Sequence, residues 1–206
     1  MILKGRLRKL QLLDAGIMED YWPITLDNYT GPKRPLRLIQ KYIQKLPDIR
    51  KEGLSLLFYG VNNAGKTSAA MILAKAFLLN KLTACCTNLR EMTDLFAQGW
   101  KSEDERRAFD AKVRDRDLLV IDDLLKELHN KATAAVLDSV LRHRSNRHMP
   151  FVITTNASMD ELEAQYGPSF VALLQRRCIS VQFDNNSKQA AKLVDRNLDL
   201  LDKLES

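Results

Sequence analysis

No apolar run in this chain approaches the roughly 20 residues that a helical membrane span requires, and the N-terminal MILKGRLRKLQLL is too charged to be the apolar centre of a secretory signal. A cytoplasmic protein with no membrane partner is expected. Cysteine is scarce: Cys85 and Cys86 are chain neighbours, which rarely bridge, and Cys178 sits alone in another apolar stretch. With no CxxC and no Cys/His cluster, neither a disulfide framework nor a structural zinc is expected. The three histidines, His129, His143 and His148, have no spacing suited to a metal or to base catalysis. Internal repeats and low-complexity tracts are also missing, so a solenoid is excluded. Nor is there an excess of acid. The net charge is +6, with the surplus in the first 51 residues, in RHRSNRH (142–148) and at Arg176-Arg177. Such a surplus fits either a solvated face or the binding of a polyanion.

What is present suits one domain, or one domain with a small appendage: 206 residues, 45% hydrophobic and 28% charged. Residues 1–20 read as a short helix, followed by the turn-rich YWPITLDNYTGPKRP and a helix over 35–46 ending near Pro47. Continuous apolar runs mark strands at 54–59, 82–87, 117–123, 151–156 and 178–183. Between them lie helical stretches at 66–80, 89–98, 103–115, 131–147 and 169–177, and Ser158-Met-Asp-Glu161 forms an N-terminal capping box. A long helix over 186–204 follows. Strands alternating with helices predict an α/β fold, a parallel five-stranded sheet with helices on both faces.

The stretch GVNNAGKT (60–67) matches the phosphate-loop pattern G-x-x-x-x-G-K-[ST], with a buried strand before it and a helix after it. Gly60 permits the turn off the strand, and Gly65 lets backbone N–H groups approach phosphate without a Cβ in the way. The helix starting at Lys66 points its positive end at the anion. Gly60, Val61, Asn62, Asn63, Ala64, Gly65, Lys66, Thr67 and Ser68 are thus candidate nucleotide contacts. Lys66 would bridge the β- and γ-phosphates, and the Thr67 hydroxyl would ligate Mg2+. Asn63 stands where a third glycine is common, and Asn enters left-handed backbone at modest cost, so a positive φ is predicted there.

LLVIDD (118–123) supplies the complementary half. Asp122 emerges at the carboxyl end of a buried strand, where it would hold Mg2+, and Asp123 would orient or deprotonate the attacking water. Aspartate is shorter than the glutamate common at the second position. Slow turnover is therefore expected, with nucleotide acting as a switch. Asn156, at the tip of the strand FVITTN, is placed to reach the γ-phosphate or the water, or else to cap a turn.

Together, LDAGIMEDYWPITLDNY, GVNNAGKT, DLLVIDDLL, RHRSNRHMPFVITTN and YGPSFVALLQRRCISVQF resemble the DnaC/DnaI helicase loaders and the related transposition helper IstB, AAA+ proteins of the initiator clade. The resemblance covers residues 10–188 and implies a P-loop AAA+ core over 35–185. Residues 1–34 would be a basic helix and adenine-side linker, and 186–206 a reduced lid or partner-docking helix. It further implies ATP and Mg2+ bound at subunit boundaries of a homo-oligomer, single-stranded DNA as a ligand, and a DnaB-type replicative helicase as partner. An IstB-like helper on duplex DNA, or an adaptor that binds nucleotide with little hydrolysis, are the alternatives. Hydrolysis in such rings needs an arginine from the neighbour. The usual slot falls on Leu173, so Arg176, Arg177 and Arg144 are the candidates, and the cis-acting sensor falls to Lys188 or Lys192. DNA contacts are expected from Arg90, Trp100 (or Phe96), Lys101, Arg106 and Arg107. Such loaders usually carry a separate N-terminal helicase-binding domain, whereas 15–20 residues precede the core here; either that domain is missing, or the basic helix LKGRLRKLQLL does its work.

Overall fold

The computed structural model describes residues 7–99, 101–124, 131–184 and 188–205, with the side chains of 188–194 and 205 excepted. Five strands, β1 (Ser55–Gly60), β2 (Ala84–Asn88), β3 (Leu118–Leu124), β4 (Phe151–Thr155) and β5 (Cys178–Phe183), form one sheet in the order β2-β3-β4-β1-β5. Every pairing is parallel, so all strands start at one edge and finish at the other. The α/β architecture expected from the alternation of elements is present.

Alternate residues of each strand face opposite layers, and this divides the core in two. Leu56, Phe58, Val120, Val152 and Val181 join one cluster; Leu57, Leu119, Ile121 and Ile153 join the other. Against the first pack α1 (Lys9–Asp14), α2 (Lys33–Gln44), α3 (Leu46–Glu52), α4 (Lys66–Leu79) and α10 (Lys188–Asp202). The second is covered by α5 (Leu89–Gln98), α6 (Glu103–Phe109), α7 (Lys131–Asn146), α8 (Met159–Tyr166) and α9 (Pro168–Arg177).

Three boundaries differ from the sequence expectation. Helix α1 ends at Asp14 rather than near residue 20, and Gly16 follows with a φ of 71°. Pro47 does not close α2. It sits in the first turn of α3, where its missing N–H leaves no bond unmade. The helix expected over 103–115 divides into α6 and a wide π turn, Asp110–Arg114.

Helix α4 is apolar nearly all round and accordingly buried nearly all round. Its outer side is covered by a strap, residues 15–31, whose first residue also protects the sheet edge: the Cys86 N–H of β2 donates to the Ala15 carbonyl at 2.7 Å. The last helix lies on its own core. Leu201 is fully buried, and the Asn197 amide donates to the Ser180 carbonyl of β5 at 2.8 Å. No described helix is long and apolar enough to cross a membrane.

Candidate nucleotide site

At the carboxyl edge of the sheet a cleft of about 1220 Å³ opens between the loop after β1, the ends of β3 and β4, the strap and α8. Gly60 leaves β1 with a φ of 132°, a glycine-only conformation, and a Cβ there would come within 2.4 Å of the Phe183 carbonyl oxygen. The positive φ expected at Asn63 is present, at 58°. Gly65, at φ 89°, is the N-cap of α4, and a Cβ on it would strike the Tyr29 hydroxyl at 2.7 Å. The loop therefore ends with the first N–H groups of α4 facing the cleft, as anion binding requires. Asn62, Asn63, Ala64, Gly65, Lys66, Thr67 and Ser68 line the cleft. Val61 stands at the rim, 63% exposed.

Lys66 Nζ is folded back onto its own loop, donating to the carbonyls of Gly60 (2.8 Å) and Val61 (2.7 Å). Burial lowers its pKa, and the Asp123 and Asp122 carboxylates oppose that shift. The Thr67 hydroxyl donates to Asp122 Oδ1 at 3.0 Å, which joins the two halves of the motif across 55 residues of chain. Asp122 Oδ1 also receives the Thr154 hydroxyl at 2.6 Å, and Thr154 Oγ1 in turn accepts the Asp123 N–H at 2.9 Å. The register of β3 on β4 shifts between Ile121 and Leu124, and Asp123 takes a φ of 58°. This bulge turns Asp123 into the cleft beside Asp122 instead of onto the opposite face. Asn156 is exposed at the same edge and lines the cleft. A hydroxyl beside a carboxylate is an all-oxygen donor set that suits Mg2+, which takes its remaining ligands from phosphate and water.

Sequence reasoning missed five contributors. Thr154 is buried in a central strand, and a hydroxyl among apolar neighbours was a signal that its partner lay inside the site. Tyr21 and Thr30 of the strap line the cleft, and the Tyr29 hydroxyl donates to the Gly65 carbonyl at 3.3 Å. The fifth is Lys75, which holds the strap down. Its ammonium donates to the Tyr21 carbonyl at 2.6 Å, the Trp22 carbonyl at 3.3 Å and the Ile24 carbonyl, and burial brings its pKa down to about 8.

The arginines fall in different places. Arg144 is fully buried, and its guanidinium donates to the carbonyls of Val113, Arg114, Arg116, Asp117 and Pro150 at 2.7–3.4 Å. This corrects the expectation that Arg144 reaches across a subunit boundary, because every outward path is closed by backbone it already holds. Leu173 is likewise core. Arg176, exposed, and Arg177, whose Nε donates to Ser145 Oγ at 2.7 Å, end α9 at the starting edge of the sheet. Cys178, the next residue, pairs with Ser55 at the start of β1, while Gly60 at the other end opens the loop. Six residues at about 3.3 Å each separate the two arginines from their own loop by roughly 20 Å.

Arg90, Lys101, Arg106 and Arg107 are exposed on α5, α6 and the turn between them, with Arg107 paired to Glu103 at 2.7 Å. Phe96 packs edge-on against Phe109 at 5.4 Å, so it serves the core rather than stacking outward. Trp100 and His129 lie outside the described residues, as do the side chains of Lys188 and Lys192.

These features are those of a nucleotide-binding ATPase fold. The chain belongs to the ATPase family associated with various cellular activities (AAA), whose family model matches residues 56–169. Among solved structures it is similar to the DnaC helicase loader, with 21% identity over 81% of this chain and 100% of that one, at a TM-score of 0.72. DnaI is similar at 13% identity, over 82% and 92% of the two chains, with a TM-score of 0.66. The replication initiator DnaA bound to AMPPCP and single-stranded DNA matches at 13% identity, over 88% and 59%, with a TM-score of 0.67. At these identities the likeness establishes a shared fold. No curated protein matches the sequence.

Proposed function

We propose that this AAA protein is an ATP-dependent loader of a replicative DNA helicase, with nucleotide serving as a slow switch. The observation that carries the ATP site is the Thr67–Asp122 hydrogen bond at the mouth of a loop whose glycine and asparagine backbone is already in phosphate-binding form. The loader reading is supported by fold, since the chain spans the whole of the DnaC structure it matches.

In this reading Lys66 leaves the Gly60 and Val61 carbonyls for the β- and γ-phosphates. Thr67 and Asp122 hold Mg2+, and Gly60 to Ser68 with the start of α4 cradle the phosphate chain. The metal, when bound, neutralises charge on the phosphates. Asp123, turned inward by the bulge, accepts a proton from the attacking water, and Asn156 orients that water. Arg176 and Arg177 lie too far from their own cleft and act on a neighbour's, which requires a homo-oligomer in the ATP state. Lys188, on α10, is the remaining sensor candidate. Arg90, Lys101, Arg106 and Arg107, with Trp100, hold single-stranded DNA on the α5–α6 pair, phosphate contacts supplying the affinity. Residues 1–34 form the partner-facing segment and the cover of the nucleotide, 35–185 the ATPase core, and 186–206 a reduced lid.

Co-elution with a DnaB-type helicase tests this reading. Wild-type protein is expected to hold the helicase differently with ATP and with ADP. Lys66→Ala is expected to lose nucleotide binding by roughly 100-fold, the worth of charge-assisted bonds to phosphate, and to lose that nucleotide dependence. Unchanged binding by Lys66→Ala would overturn the site; helicase capture indifferent to nucleotide would overturn the loader.

A further inference from the structure

The strap carries a side chain that phosphate loops do not themselves supply. Tyr21 lines the cleft together with Thr67, Asp122 and Asp123. Its phenol lies near the Thr67 hydroxyl and the Asp122 carboxylate. Its backbone is tied into the strap on both sides. The Tyr21 N–H donates to the Met18 carbonyl at 3.0 Å, closing a 3-10 turn over Glu19–Tyr21, and the Tyr21 carbonyl is held by Lys75 at 2.6 Å. Tyr21 is thus a hydroxyl at the metal end of the site whose backbone moves only together with the strap.

That end is otherwise dominated by acid. Asp122 and Asp123 repel the terminal phosphate, and among the described residues lining the cleft Lys66 is the cation that opposes them. A neutral O–H beside them offers an anionic oxygen a hydrogen bond at no cost in added negative charge. A phenol carries an O–H at neutral pH, so the proton needed for donation is there. The strap that bears this donor also caps the β2 edge through Ala15 and continues into α1, so a contact at Tyr21 is passed to the segment proposed to face the partner.

We propose that Tyr21 reads the metal-bound terminal phosphate, so that the strap distinguishes a nucleoside triphosphate from a diphosphate. This rests on the assignment of the cleft as a Mg-nucleotide site. The diphosphate, lacking the terminal group, leaves Tyr21 on Thr67. The triphosphate draws the phenol to the phosphate, and the strap adjusts with it.

The test compares wild type with Tyr21→Phe, which removes one hydroxyl and keeps the ring. Affinities for Mg-AMPPCP and Mg-ADP are measured by calorimetry. Trp22 emission is then followed in a Trp100→Phe background, which leaves Trp22 as the single tryptophan. Tyr21→Phe is expected to weaken AMPPCP binding about tenfold, as for one lost hydrogen bond to a charged group, and to change ADP binding by less than about twofold. Trp22 emission is expected to shift with AMPPCP only when Tyr21 is intact. Equal weakening of both nucleotides would show a merely structural role and overturn the proposal, as would an unchanged ratio of affinities. Failure of the wild type to bind either nucleotide would instead overturn the site itself.

Discussion

Asp122 is where three separate parts of the chain converge. Thr67 reaches it from the helix after the loop, Thr154 from the neighbouring strand, and Tyr21 approaches from the strap. The two hydroxyls fix one carboxylate oxygen and so orient the other. Thr154 does double duty, since it also accepts the Asp123 N–H and thereby stabilises the bulge. Replacing it by valine keeps the shape and removes both bonds. Thr154→Val is expected to lose about 1–2 kcal/mol of folding stability, measured by urea denaturation. It is also expected to weaken nucleotide binding in Mg2+ more than in EDTA, because Asp122, the proposed metal ligand, loses its orientation. Equal binding losses in both conditions would mean that Thr154 serves stability alone.

Among the elements, α7 and the strap decide most. Helix α7 runs beside the sheet and places Arg144 where the π turn after α6, the entry to β3 and the entry to β4 meet. The carbonyls there lie at the ends of those elements, and one planar guanidinium collects them. Arg144→Met fills similar volume but strands the carbonyls. It is expected to cost about 3 kcal/mol or more, read from urea denaturation, with nucleotide affinity unchanged in the fraction that remains folded. A variant as stable as wild type would contradict this account. Burial lowers the Arg144 pKa to about 10, still well above neutrality, so the charge persists there, with Nη1 and Nη2 bonded to carbonyls.

For the whole molecule, the parallel sheet sets the decisive geometry. All strands finish at the cleft and start at the opposite edge, so Arg176 and Arg177 cannot serve the cleft of their own chain. In the assembly proposed above, one subunit's starting edge meets the next one's cleft. Lys66→Ala and Arg176→Ala/Arg177→Ala proteins are each expected to lack ATPase activity. Mixed, they form some boundaries with an intact lysine and an intact arginine pair, and activity is expected to return in part. A mixture no more active than its components would place the arginines outside the chemistry.

The sheet, its helices, the phosphate loop and the acid pair were legible in the sequence, because each rests on local order. Apolar runs bury strands, a glycine follows a strand and precedes a helix, and an asparagine accepts positive φ. Asn63 was read correctly for that reason. The boundaries at Asp14, Pro47 and Phe109 were not, since they depend on Gly16, on a new helix that accepts proline in its first turn, and on a guanidinium from α7. Arg144 looked like a surface arginine in a basic stretch, and only the folded chain reveals the carbonyls that claim it. Tyr21, Thr154 and Lys75 entered the site in the same way, from segments whose proximity no spacing encodes. Local chemistry fixed the strand, the loop and the acids; long-range packing decided which side chains reach the Thr67–Asp122 pair and which arginines stand apart from their own cleft.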